Sequence, residues 1–297
     1  MKDGTKLLLC ATGAVGFCVL TTAAALAMPS FGDWSGLTDV EALPGSSTEV
    51  NGPSIDGCAS ISPDGLTLAF NSFRSNNQEI WLATRSNTSE GFGDPIMLPA
   101  PINTPAQEFC PTIARGNRLY FSRSTGVPGT GDLYVSKRGP KGWSEPVRLG
   151  SAINTADSSE ESASFYEDDQ GREVIVFSRR PNGAFVGPGG HIYESVDGAP
   201  ATLVAGGPFS SGSDNRPSVT HDGKEIFWDS LRTGSRGPDV WYATRSSTSQ
   251  PFGQAIQLNQ VNSALAETRP FVSWNGDTLV VSANSDIWFA TREKNSK

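Results

Sequence analysis

The chain has 297 residues, of which 18% are charged and 37% hydrophobic, and its 31 acidic side chains outnumber 23 basic ones for a formal net charge of −8. A surface of that sign repels polyanions, which argues against nucleic-acid binding. Gly and Pro are spread along the whole length and no long stretch carries 3.6-residue periodicity, which argues against a helical bundle.

Residues 1–27 open with Lys2 and Lys6, continue as an apolar run from Leu7 and finish on Ala25-Leu26-Ala27, the pattern of a secretory signal peptide with a small-residue cleavage site. An uncleaved membrane anchor is the alternative, because the run nearly matches the thickness of a bilayer. Either reading exports residues 28–297 as one all-β domain, periplasmic or secreted, with no membrane contact beyond the leading segment. Without residues 1–27 the chain keeps 21 basic and 30 acidic residues, a net charge of −9, so no nucleic-acid partner is expected.

The next segment, FGDWSGLTDVEALP, reads as a lone outer-strand unit with Val40–Leu43 as the strand. A repeat follows. Asp56, Glu108, Glu160, Asp214 and Glu267 each stand at the head of a strand, at intervals of 52, 52, 54 and 53 residues. A period near fifty with strand-like content indicates β-propeller blades, and five repeats indicate five of them. Pseudo-rotation then places the five carboxylates as an acidic ring at one end of the central channel.

Each unit divides into four short strands. The inner one follows the carboxylate and ends in a tight turn such as Pro63-Asp64-Gly65, His221-Asp222-Gly223 or Trp274-Asn275-Gly276. The second (LTLAFNS, RLYFSR, EVIVFSR, EIFWDS, TLVVSA) is rich in β-branched and aromatic residues, as buried strands are. The third carries Ile80-Trp81, Leu133-Tyr134, Ile192-Tyr193, Val240-Trp241 or Ile287-Trp288, aromatics whose recurrence points to packing between blades. A fourth, outer strand follows Phe92, Trp143 or Phe252, and Ile102-Asn103-Thr104, Ile153-Asn154-Thr155 and Val261-Asn262-Ser263 link it to the next unit. The third unit is irregular, with a Gly/Pro-rich loop from Arg179 to Gly190. The fifth ends after its third strand, so the N-terminal outer strand is expected to complete the last blade and close the ring, removing an open sheet edge.

The combination of an acid, Ser62-Pro63-Asp64-Gly65 or His221-Asp222-Gly223, Ser72 and Arg74 or Ser230 and Arg232, then Glu79-Ile80-Trp81 or Asp239-Val240-Trp241, resembles the TolB-type WD-like β-propeller repeat over residues 38 to 292. The amino-terminal domain of TolB itself has no counterpart here. The resemblance implies a five-bladed propeller and, by analogy with exported members, binding to other proteins or envelope components.

At the position two residues after each acid the units differ: Cys58, Cys110, Ser162, Arg216 and Arg269. Neighbouring inner strands bring Cys58 and Cys110 into register, either as a disulfide, which an oxidising compartment permits, or as two buried thiols. Asp56, Glu108, Glu160, Asp214 and Glu267 with Arg216 and Arg269 form the candidate ligand site. Arg216 and Arg269 can grip a carboxylate or phosphate, or pair internally with the acids beside them, Asp214 and Glu267. No cofactor is expected, and a divalent cation is the metal species an unfilled acidic mouth would attract. The sequence therefore points to an exported non-catalytic binding or scaffolding module whose partner is an envelope or extracellular protein, a cation or a glycan. The rival is a carbohydrate-active enzyme, a glycoside hydrolase or polysaccharide lyase, using Asp56, Glu108 or Glu160 as acid and base. His191 and His221 are too few and too scattered for a histidine zinc site or a Ser-His-Asp triad, and no catalytic residue is assigned. Glu167-Asp168-Asp169 is an acidic turn, solvated or weakly calcium-holding.

Overall fold

The computed structural model describes residues 31–124, 126–127, 130–183, 189–206, 209 and 214–295. The expected signal segment and the centre of the Arg179–Gly190 loop lie outside them. The repeat period converts into five antiparallel sheets arranged as the blades of a propeller. Blade 1 contains Asp56–Ile61, Thr67–Ser72, Glu79–Thr84 and Ile96–Met97, and blade 2 contains Glu108–Ala114, Arg118–Arg123, Asp132–Gly139 and Val147–Arg148, with Gly142–Trp143 paired to its third strand. Blade 3 is Ser158–Glu167, Glu173–Pro181, His191–Val196 and Thr202–Leu203. Blade 4 is Asp214–Val219, Glu225–Ser230, Asp239–Thr244 and Ile256–Gln257, and blade 5 contributes Glu267–Val272, Thr278–Ala283 and Asp286–Thr291.

The fifth sheet is completed from the other end of the chain. Thr38 and Asp39 pair with Phe289 and Trp288, in the place other blades give to their own outer strand. The pairing falls before the expected Val40–Leu43. Val40–Ala42 instead turns as a 3-10 helix capped by the Asp39 side chain, which accepts the Glu41 amide at 2.9 Å. The reason is burial: Val40 is fully enclosed, and the turn inserts it between blades where an extended strand would carry the chain past.

The core lies between sheets. Phe70, Phe121, Phe177, Trp228 and Val281 occupy one equivalent second-strand position, each 0% exposed, and each stands opposite the third-strand aromatic of its own blade. Burying a side chain of this size stabilises by about 1.5–3 kcal/mol, so the repeated aromatics hold the ring together. The linker asparagines add a second recurring device. Asn51, Asn103, Asn154 and Asn262 each accept a third-strand amide and return a bond to the same residue's carbonyl, at Ile287, Ile80, Leu133 and Val240.

One irregularity is common to all five inner strands. Their register with the second strand slips just after the repeated acid, between Gly57 and Ser60 in blade 1 and at the matching points of the others. At the slip sits a non-glycine residue in the left-handed region: Cys58 (φ 48°), Cys110 (48°), Ser162 (58°), Arg216 (48°) and Arg269 (55°). Such residues cost of order 1–3 kcal/mol each, and a bulge of this kind re-aims its side chain. Here all five side chains turn toward the axis. In three of the blades the amide freed at the bulge is caught by the preceding blade: Asn71 accepts Cys110 N, Asp229 accepts Arg269 N and Ser282 accepts Cys58 N.

Candidate functional site at the channel

The five repeated carboxylates do not line the channel. Each is at most 1% exposed and points outward into its blade. Asp56 meets Arg74 at 2.8 Å, Glu108 meets Arg123 at 2.8 Å, Glu160 meets Arg179 at 2.8 Å and Asp214 meets Arg232 at 2.5 Å. These arginines come from the end of the second strand, and each lies over the aromatic of the third: Trp81, Tyr134, Tyr193 and Trp241, at 4.3–5.0 Å from the ring centre. The remaining acceptor capacity goes to the linker, as with Gly52 N on Asp56 and Thr104 N on Glu108. The guanidinium in turn donates to linker carbonyls, Arg74 to Glu49 and Val50, Arg123 to Pro101 and Ile102. Acid, arginine and aromatic thus tie the incoming chain to the blade. Blade 5 lacks the arginine, and Glu267 is held through both oxygens by Ser263.

The expected acidic ring is therefore corrected to five separate knots, one per blade. An ionised carboxylate cannot be enclosed without a compensating partner, and four of the five blades supply one from the Ser-x-Arg or equivalent segment. Burial pushes the Glu108 and Glu160 carboxyls above the ordinary glutamate range despite their bonds to Thr104 and Thr155 and to the arginines.

The residues two positions further on do meet at the axis. Cys58, Cys110, Ser162, Arg216 and Arg269 enclose one end of the channel, together with Pro111, Pro217 and Pro270. The bulges bring Cys58 and Cys110 to a Cα separation of 4.8 Å, and they form a disulfide that joins blades 1 and 2. This resolves the alternative left open above, because regular inner strands would sit farther apart. The Cys58 sulfur lies 3.9 Å from Ser162 Oγ.

Arg216 and Arg269 do not pair with the acids beside them in sequence. Arg216 makes a two-pronged contact with Asp229, Nε to Oδ1 at 2.8 Å and Nη2 to Oδ2 at 2.7 Å, and the carboxylate raises its pKa against the effect of burial. Glu161, the residue after the blade 3 acid, is buried and ion-paired with Arg180. Arg269 has no such partner. Among the described residues no carboxylate comes within ion-pair distance of its guanidinium, and its Nε is buried without a hydrogen bond. Burial, reinforced by the neighbouring Arg216, pulls its pKa down to about 10, so it stays charged at neutral pH. Three guanidinium groups, Arg180, Arg216 and Arg269, thus face two carboxylates, Glu161 and Asp229, and the expected acidic mouth carries an excess of positive charge.

Sequence reasoning did not single out Asp229, Glu161 or Arg180 as site residues. The signal available was the pairing of EIFWDS with DNR, where an acid inside an otherwise apolar second strand demands a buried cation. Among the described residues no group of three or more His, Cys, Asp or Glu side chains is placed to hold a metal ion. In the acidic turn, Asp168 is bound by Arg172 and by the Gln170 and Arg172 amides, and Asp169 accepts the Thr248 amide.

No family model and no curated protein sequence matches the chain. Solved structures do match in fold. TolB from Acinetobacter baumannii is 16% identical with a TM-score of 0.50, over 82% of this chain and 56% of that one. A GH43 endo-arabinanase from Bacillus licheniformis is 14% identical with a TM-score of 0.53, over 84% and 96%. The α-L-arabinofuranosidase PaAbf62A from Podospora anserina is 12% identical with a TM-score of 0.52, over 90% and 98%. The chain thus spans little more than half of the TolB structure, and these likenesses define its class as a five-bladed β-propeller. TolB and glycoside hydrolases share that architecture, so function must be argued from the site. Among the described residues no helix is long and apolar enough to cross a membrane.

Proposed function

We propose that this chain is an exported, non-catalytic binding or scaffolding propeller whose channel mouth receives an anionic group, a carboxylate or phosphate, of an envelope or extracellular protein. Arg269 is the receiving group and Arg216 its neighbour. The observation that carries this reading is the uncompensated guanidinium: a third arginine stands in a cluster with only two carboxylates, and its Nε has no partner. An anion entering there restores neutrality and satisfies a buried donor, each worth more in a desolvated site than in water. Asp56, Glu108, Glu160, Asp214 and Glu267 serve by holding the inner strands in the bulged register that presents the axial side chains. A divalent cation suits a mouth of this charge poorly.

The same geometry supports binding over hydrolysis. Glycoside hydrolysis needs two carboxylates about 5–10 Å apart across a site open to sugar and water. Here the repeat acids are closed behind arginine or serine, and Glu161 and Asp229 are held by Arg180 and Arg216. The space at this end of the channel, about 20 Å³, is too small to seat a sugar ring and leaves room only for a small group at the mouth.

The test is thermal unfolding of the purified protein titrated with phosphate and with acetate, run beside reducing-end release from a polysaccharide panel. The proposal expects a saturable stabilisation by anion that Arg269→Gln removes, and no sugar release. Release that disappears in Glu161→Gln or Asp229→Asn overturns it in favour of a hydrolase.

A further inference from the structure

The opposite end of the channel is built from a second set of equivalent residues, seven positions after each acid: Pro63, Arg115, Glu167, His221 and Trp274. They close the inner strands at the hairpin turns, where the repeat itself asks only for a turn former. Blade 1 supplies one, Pro63. The other four supply a guanidinium, a carboxylate, an imidazole and an indole, and these converge. His221 stacks on Trp274 with ring centres 3.8 Å apart, Arg115 lies 5.4 Å over the same indole, and Arg115 reaches Glu167 at 3.7 Å.

Beside them opens a pocket of about 100 Å³ with Phe165 and Tyr166 as further aromatic walls and Arg118 and Glu173 at its rim. Its charges cancel in pairs, Arg115 with Glu167 and Arg118 with Glu173. The pocket is therefore aromatic, electrically balanced, and supplied with donors and acceptors side by side. His221 Nδ1 is buried without a hydrogen bond, and burial together with Arg115 lowers the imidazole pKa, which favours the neutral ring. On the far side of Trp274 a groove of about 620 Å³ continues along the seam between blades 5 and 1, past Pro63, Asn275 and Thr291.

We propose that this end of the channel is a glycan-binding site for a neutral oligosaccharide, one ring seated in the pocket and the following rings lying across Trp274 into the groove. A neutral polyhydroxylated ring matches the chemistry because its hydroxyls accept from guanidinium and donate to carboxylate at once, while its C–H face packs on an aromatic wall. Within the pocket, a charged ring has to break one of the balanced pairs to gain a partner. The groove supplies the second requirement, length: its volume falls within the range of small-molecule sites, whereas the pocket alone holds a single ring. This site is independent of Arg269 and lies at the other end of the inner strands.

Isothermal titration of the purified protein with glucose, xylose and N-acetylglucosamine and with their di- and trimers tests the assignment, with oligogalacturonide and chitosan oligomers as charged comparators. The expected result is binding that tightens from monomer to trimer in at least one neutral series. Trp274→Ala then weakens it by about tenfold, the scale of one lost aromatic contact. Glu167→Gln, an exposed change that leaves folding intact, weakens it as well. The assignment is overturned by the absence of heat with every neutral sugar, by neutral binding that both variants leave unchanged, or by a charged oligomer binding more tightly than all neutral ones.

Discussion

The Arg216 guanidinium closes on the Asp229 carboxylate through two hydrogen bonds of 2.8 and 2.7 Å, both groups buried, while Asp229 Oδ1 also accepts the Arg269 amide at 3.0 Å. One second-strand carboxylate therefore neutralises the axial arginine of its own blade and catches the bulged backbone of the next. Asp229→Asn keeps the shape and removes the charge, leaving Arg216 enclosed without a counter-ion. The expected loss is about 3–5 kcal/mol, the cost of stranding one member of a buried pair, read as a fall in the urea midpoint at unchanged slope.

The acid–arginine knots predict coupling within a blade. Asp56→Asn and Arg74→Gln should each destabilise, and the double variant should cost less than the sum of the two by about 1–3 kcal/mol, since the second change removes a charge the first has already stranded. Additive effects in a double-mutant cycle would show that the 2.8 Å pair contributes no interaction of its own.

The disulfide predicts a redox dependence of stability. Cys58 and Cys110 close a loop with a sequence separation of 52, for which about 2–4 kcal/mol is the ordinary gain. Cys58→Ser with Cys110→Ser should lower the melting temperature, and dithiothreitol should lower that of the native protein while leaving the variant unchanged.

Ring closure predicts that the first described residues are part of the fold. Removing residues 31–43 strips Thr38 and Asp39 from the edge of blade 5 and takes away buried Val40 and Trp34, worth about 1.5–3 kcal/mol each. The shortened protein should unfold at lower urea and expose the Asp286–Thr291 edge to association, measurable by light scattering.

Burial raises the Glu108 and Glu160 carboxyls above their ordinary range, so in the folded state both take up protons at higher pH than when unfolded. Their contribution is therefore fully present below the ordinary glutamate pKa and is lost as pH rises through the raised value. The stability gap between the native protein and a Glu108→Gln, Glu160→Gln variant should accordingly be wider near pH 4 than near pH 7, when both are unfolded by urea in parallel at the two values. A gap that widens toward neutral pH contradicts the shift.

Blade number, strand order and closure were legible in the sequence because each depends on local and periodic information. A strand ending in Ser-x-Arg, a third strand marked by an aliphatic-aromatic pair and a carboxylate recurring near every fiftieth residue need no knowledge of distant contacts. The candidate site was legible only in its axial residues. Cys58, Cys110, Ser162, Arg216 and Arg269 were identified by breaking the repeat, and all five do line the channel. The carboxylates beside them were placed in the same ring because register alone says where a backbone position lies, not which way its side chain leaves. That direction is decided by the left-handed bulge, which turns Cys58 and its equivalents inward while Asp56 and its equivalents face outward, onto arginine in four blades and onto Ser263 in blade 5. In blades 1, 2 and 5 the bulge is held by the preceding blade, which catches its freed amide through contacts far apart in sequence, such as Asp229 with Arg269. The sign of the charge at the mouth follows from the same long-range pairing. The sequence alone determined that five equivalent blades exist, and the packing of one blade against the next decided which of their repeated side chains face the channel.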